Sequence, residues 1–338
     1  MRRPFVFVLG IAFSMLTLAA PAFACGGLIG PNGAVNLLRT TTFVGYHDGV
    51  EHYVTAFQFA GGGGKFGSLT PLPGVPSNVE KGGSWTLQRL IRETQPVKVL
   101  TAAPFGARST FDSVQVLLET KIDALDITVL RGGGAAVGDW ATAHGFRLPA
   151  DAPEVLDFYA NRSPIFLAAA FDADAAAARG QRVGDGTPVH ITIPTANPWV
   201  PLRILALGKQ GNDPVQADVY LLTDRKPAIL PLARGNGLTL AYDRTASKPL
   251  LDDLRSDAGM GWVPASGWLS QLRIDTNAAA LSYDLAVDVQ GHSPSRVAAG
   301  LETPGSTDPT PVALTMLAAA LATLIVIAVR EQRRTALA

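Results

Sequence analysis

Nineteen consecutive residues without a charge, Pro311 to Val329, constrain this chain more than any other feature of its sequence. At about 1.5 Å per residue the run reaches about 28 Å as a helix, close to the roughly 30 Å hydrocarbon core of a bilayer. A core helix of a globular protein keeps a charged or polar face to solvent, and this run offers none. The expectation is a transmembrane helix over 311–329. Arg330, Arg333 and Arg334 follow at once, whereas Glu302 and Asp308 precede it. The positive-inside rule therefore places the basic tail, 330–338, in the cytoplasm and the bulk of the chain outside.

The other end carries a matching signal. Arg2 and Arg3 precede the almost wholly apolar stretch Phe5 to Ala20, and Ala22-Phe23-Ala24 supplies the small residues of a signal-peptidase site. Residues 1–24 thus read as a signal peptide cleaved before Cys25. Cys25 at the mature terminus is a candidate lipidation site, but Ala22 and Phe23 stand where such sites place a Leu and a small residue. A free thiol fits the pattern better. Cys25 is the lone cysteine, so no intrachain disulfide is available. The 28 basic and 28 acidic side chains balance, without a Lys/Arg-rich stretch, which argues against a nucleic-acid partner. A hydrophobic content of 47% with no net charge argues against disorder.

Between these ends, prolines and small polar residues from Gln290 to Thr310 read as a stalk, 290–310, leaving 25–289 as the folded extracytoplasmic domain. The strongest local signal is Thr40 to Phe59, two β-rich runs separated by Asp48-Gly49, the preferred pair for a two-residue type I′ hairpin. Ser84 is an expected N-cap for a helix through Arg92 with Leu87, Leu90 and Ile91 on one face, ended by Pro96. Further helices are expected over Ala135 to Ala143 and from Pro153 through Tyr159. Strands are expected at Val114–Leu118, Leu125–Leu130, Ile165–Phe171, Val189–Ile193, Leu202–Leu207, Asp218–Thr223, Leu269–Ile274 and Ala280–Val289. Strands outnumber helices and do not alternate regularly with them. The predicted class is α+β, largely antiparallel sheet with three to four short helices, plus the C-terminal transmembrane helix.

The order of several segments resembles a family of exported bacterial proteins, domain of unknown function 2330. The residues that carry the likeness are Cys25-Gly26-Gly27, the hairpin, Pro71-Leu72-Pro73-Gly74-Val75-Pro76 and Asp126-Ile127-Thr128-Val129-Leu130. They continue with the helix bearing Trp140, His144-Gly145-Phe146-Arg147-Leu148-Pro149, and Pro201-Leu202-Arg203-Ile204. The resemblance covers most of 25–207 and implies export and a shared fold. It implies no mechanism. Related proteins often carry more cysteines near the N-terminus than the single Cys25 here, so no thiol role transfers.

Candidate chemistry is sparse. A two-residue turn pairs His47 with Val50 and Gly45 with His52, so both histidines lie on one face as diagonal neighbours, about 7 to 8 Å between the two backbones. His47 and His52 are the candidate metal ligands. Glu51 points to the other face, and no further local ligand completes the four of a structural zinc site. Gly61 to Gly64 before Lys65 lacks the spacing of a phosphate loop, and Gly132-Gly133-Gly134 lacks the third dinucleotide glycine. Asp172-Ala173-Asp174 lacks the oxygens of a calcium loop and reads as a turn. His144 and His190 fit structural roles. Trp262 and Trp268, flanking an irregular Gly- and Pro-containing segment, are the candidate ligand-binding aromatics. No catalytic motif and no cofactor signature is found.

The sequence thus describes a single-pass membrane protein of the bacterial envelope, with its N-terminal domain outside. Its partners are the membrane, through 311–329, and an envelope protein or ligand that the sequence does not name. The expected role is a noncatalytic binding or interaction module. The alternative is a hydrolase-like envelope enzyme with a site drawn from scattered loops, metal-assisted through His47 and His52.

Overall fold

The computed structural model describes residues 27–31, 33–34, 40–58, 65–94, 116–180, 186–235 and 237–305. The expected signal peptide, Cys25, the glycine run at 61–64 and the apolar run 311–329 lie outside the described residues. Among the described residues no helix is long and apolar enough to cross a membrane.

The chain begins with β1 (Gly27–Gly30), β2 (Gly33–Ala34), β3 (Thr40–His47), β4 (Val50–Gln58), β5 (Phe66–Leu72) and β6 (Asn78–Lys81). It continues through α1 (Thr86–Thr94), β7 (Val116–Ile122), β8 (Leu125–Arg131), α2 (Gly134–Ala143), α3 (Ala152–Ala160), β9 (Ile165–Phe171) and α4 (Ala173–Ala178). Next come β10 (Gly186–Pro194), β11 (Trp199–Val200), a 3-10 turn (Arg203–Ala206), β12 (Pro214–Thr223), β13 (Ala228–Leu230), β14 (Arg234–Gly235) and β15 (Leu238–Thr245). The last elements are α5 (Lys248–Ser256), β16 (Trp268–Asn277), a 3-10 turn (Ala278–Ala280) and β17 (Leu285–Asp288).

The strands form an eight-stranded sheet, β14-β15-β16-β12-β3-β4-β10-β6, a six-stranded sheet, β2-β1-β5-β9-β8-β7, and a small sheet, β11-β17-β13. Among the described residues pairing is antiparallel except between β12 and β3. The class is mixed α+β with mostly antiparallel sheet, as expected. The helices number five among the described residues, not three to four, because α4 and α5 join the three expected ones. Both additions carry a cap: Asp172 accepts from Ala175 N, and Ser247 accepts from Leu250 N ahead of Pro249. Asp172 therefore starts a helix, where the sequence suggested a turn.

Period-two alternation sorts side chains into three apolar layers. Val44, Tyr53, Ile191, Val219 and Leu272 of the large sheet meet Leu72, Ile127, Val129, Leu167 and Phe171 of the six-stranded sheet. Their neighbours along the same strands, Phe43, Val54 and Leu222, pack instead against Leu87, Leu90, Leu250 and Leu254 of α1 and α5. On the far side, Leu69, Leu130, Phe166 and Ala168 pack against Val137, Trp140, Leu156 and Tyr159 of α2 and α3. β9 is buried along its whole length, since one side feeds each of two cores.

Three expectations change. Leu202–Leu207 turns as 3-10 instead of extending, because buried Asp284 accepts hydrogen bonds from Leu202 N and Arg203 N at 2.7 and 3.0 Å. Within Ala280–Val289 only Leu285–Asp288 is strand. Finally, the compact part does not stop at Val289: Ala298 and Ala299 are buried, Asp284 N donates to Ala299 O, and Arg162 donates to Ala298 O. Within the expected stalk, 290–310, Val297 to Gly300 pack on Phe158 of α3 and on Arg162 just beyond it.

Candidate functional site

The hairpin forms in the expected register, His47 opposite Val50 and Gly45 opposite His52. Asp48 and Gly49 take φ of 49° and 78°, the two positive values a type I′ turn requires. The two hairpin histidines nevertheless go to different partners. His47 Nδ1 lies against Asp224 Oδ1 and its Nε2 is 3.2 Å from Asp48 Oδ2. His52 Nδ1 lies 2.9 Å from His190 Nε2. Among the described residues no group of three or more His, Cys, Asp or Glu is arranged to hold a metal.

Strand pairing brings the second histidine in. On β10, His190 stands opposite Val54 of β4 and opposite Glu80 of β6, while Thr192 stands opposite His52. His52 and His190 are thus diagonal neighbours on adjacent strands, the cross-strand relation within reach of long side chains. His190 Nδ1 lies 3.1 Å from Glu80 Oε1, and Thr192 Oγ1 is 3.5 Å from His190 Nε2. The protons follow from these contacts. A carboxylate only accepts, so His190 donates through Nδ1, and its neutral ring presents a lone pair at Nε2. His52 must then donate through Nδ1, which leaves the lone pair of His52 at Nε2.

Trp262 fixes the other side of His52. The two rings stack at 3.9 Å between centroids with planes 2° apart. The benzo edge of the indole stands in the space above Gly45, where a Cβ would come within 2.3 Å of it. Any larger residue at 45 would drive Trp262 away. This seat makes Trp262 a partly buried wall of the site and not the exposed aromatic surface the sequence suggested, and its indole N–H finds no acceptor among the described residues. Trp268 is held elsewhere: its Nε1 donates to Asp243 Oδ1 at 2.6 Å, and Lys226 lies over its ring. His144 stacks on Trp140 and bonds its carbonyl.

Electrostatics keep both site histidines neutral. Burial pushes His52 down to about 4, helped by the positive charge that His190 and His47 would carry beside it. Burial also lowers His190, and the Glu80 carboxylate works in the opposite direction. The sequence pointed to His52 but missed Glu80 and the role of His190. Only the pairing of two strands 110 residues apart reveals them, and alternation along Val189 to Ile193 was the one local hint.

The chain belongs to a bacterial family described as an uncharacterized protein conserved in bacteria, domain of unknown function 2330, whose model matches residues 19–229. The match includes His52, Glu80 and His190, and Trp262 lies beyond it. No curated protein matches the chain in sequence. Among solved structures the chain is similar to a mutated baculovirus P35 after caspase cleavage, with 8% identity, a TM-score of 0.39, and coverage of 74% of this chain and 99% of that one. Baculovirus P35 itself gives 9% identity, a TM-score of 0.38, and coverage of 74% and 96%. These likenesses are too distant to carry a functional argument.

Proposed function

We propose that the protein is a single-pass membrane protein of the bacterial envelope, displaying its α+β domain outside as a binding or interaction module. The carrying observation is the uncharged run Pro311–Val329 with Arg330, Arg333 and Arg334 behind it. The leader-like residues 1–24 support the same direction of export. Ala298 and Ala299 are buried in the domain, so only a short stretch of sequence lies between them and Pro311. The test is protease treatment of intact spheroplasts that express the full chain, with alkaline carbonate extraction and intact mass of the purified protein. The expected result is a carbonate-resistant chain beginning at Cys25, whose domain is removed by external protease. Release by carbonate, or a domain shielded from protease, would overturn the reading. A lipid mass on Cys25 would move the anchor to the N-terminus.

A second reading has its own observation in favour. In a hydrolase-like envelope enzyme, a neutral histidine backed by another histidine and a carboxylate is the arrangement that accepts a proton from water. His52, His190 and Glu80 supply it, on three strands and without a metal ligand set. Its test is turnover of ester, amide and phosphoester substrates by the full chain, compared with His52→Gln.

A further inference from the structure

We propose that Glu80, His190 and His52 form a directed proton relay whose working end is His52 Nε2, a general base toward the O–H of water or of a hydroxyl-bearing ligand. The proposal rests on the enzyme reading above for its purpose, and on geometry for its content. His52 spends Nδ1 on His190, at 2.9 Å, and His190 spends both of its nitrogens, Nε2 on His52 and Nδ1 on Glu80 at 3.1 Å. That use of the nitrogens makes the pair a hydrogen-bond chain and not a pair of metal ligands. The ring nitrogen left over is Nε2 of His52, a residue that is only partly buried, and it has no protein partner among the described residues.

The step balances without any co-reactant. The O–H bond of the bound water or alcohol breaks, its proton forms a new N–H bond at His52 Nε2, and the electron pair stays on the oxygen. The His52 Nδ1 proton can then pass to His190 Nε2, and the His190 Nδ1 proton to Glu80, whose side chain is 45% exposed and reaches solvent. Return of the three protons along the same line resets the site. Trp262 holds the His52 ring in plane, and the indole has its own seat in the notch above Gly45. The titratable groups facing the pair are His47 from β3 and Glu80 from β6. His52 is the group that would touch the reacting atom, while His190 and Glu80 are positioning residues.

The relay makes a prediction that a merely structural cluster does not. In the full chain labelled with 15N-histidine, His52 and His190 should both carry the proton on Nδ1, whereas an exposed imidazole favours Nε2. Diethyl pyrocarbonate, which acylates only neutral imidazole, should modify His52 at pH 5 about tenfold faster than it modifies free N-acetylhistidine, which is mostly protonated there. Glu80→Gln keeps an acceptor for His190 and should preserve both tautomers while slowing acylation of His52 about two- to fivefold. Glu80→Ala should scramble the His190 tautomer. A proton on Nε2 of His52 in the unaltered chain, acylation at pH 5 no faster than that of free N-acetylhistidine, or tautomers indifferent to Glu80→Ala would each overturn the relay. These readouts need no turnover, so an intact relay in a chain that hydrolyses nothing would count against the enzyme reading alone.

Discussion

Glu51 and Asp284 are both sealed from solvent, at 0% exposure, yet the molecule holds them in opposite ways. Asp284 receives Arg162 at 2.5 Å, the Tyr159 hydroxyl at 2.9 Å and the backbone N–H groups of Leu202 and Arg203. Arg162 is itself stacked on Phe158 and Trp199 and bonded to Ala298 O, so one buried ion pair ties α3, the 3-10 turn at Arg203 and residues 284–299 together. Glu51 accepts one bond, from Trp199 N at 3.2 Å, and its Oε1 has no partner among the described residues. Burial pushes it up to about 8, so it is a neutral acid at pH 7. The difference teaches that the number of donors, and not depth, decides whether a buried carboxyl can keep its charge.

The largest expected effect comes from breaking the satisfied member. Asp284→Ala leaves the Arg162 guanidinium, with a side chain only 4% exposed, without its counter-charge. Loss of one partner of such a pair costs about 3–5 kcal/mol, read as a lowered denaturation midpoint. If the loss were under about 1 kcal/mol, the knot would be less important than its geometry implies.

The unsatisfied member should show itself through pH. Glu51 is raised from 4.5 to about 8 on folding, so its contribution is fully present below 4.5 and is lost as pH rises to about 8. His52, its neighbour on β4, is lowered from 6.5 to about 4, so stability falls as pH drops from 6.5 to about 4. The two slopes oppose each other between 4.5 and 6.5, and only the Glu51 decline remains from 6.5 to 8. Glu51→Gln keeps an acceptor for Trp199 N and cannot ionise. Unfolding midpoints between pH 6 and 9 should therefore decline in the native protein and stay nearly level in this variant.

A third carboxylate sharpens the comparison. Asp257, 5% exposed, accepts from the N–H groups of Ser84, Trp85 and Thr86 and from Thr86 Oγ1. It caps α1 from a loop far along the chain, in place of the Ser84 cap expected locally. Asp257→Ala should cost about 1–2 kcal/mol, and thermal unfolding of the variant checks it. Smallest of all, Glu80→Gln should change stability by less than about 0.5 kcal/mol, because Glu80 is half-exposed on an edge strand. A larger loss would mean that Glu80 braces the sheet edge more than it orients His190.

The elements legible in the sequence are those whose causes are local. Asp48-Gly49 dictates a tight turn because its residues accept positive φ, and the hairpin register follows from turn length. Pro153 and the spacing of Val155, Leu156 and Tyr159 mark α3. The signals for α5, Ser247 followed by Pro249 and three leucines, are equally local. The site itself was half legible. His52 stood out beside His47, but Trp262 lost its apparent exposure by standing on Gly45, a contact between segments more than 200 residues apart.

By itself, then, the sequence determined the antiparallel α+β class, the hairpin and the family, because alternation, turn chemistry and segment order are properties of neighbouring residues. Its two apolar ends carry the proposal about the membrane. Only the tertiary structure decided which carboxyl is satisfied, where α1 finds its cap, and that His52 meets His190 and Glu80. The reason is physical: burial and hydrogen bonding set the charge of a group, and both depend on partners that strand pairing and loop return bring from far along the chain.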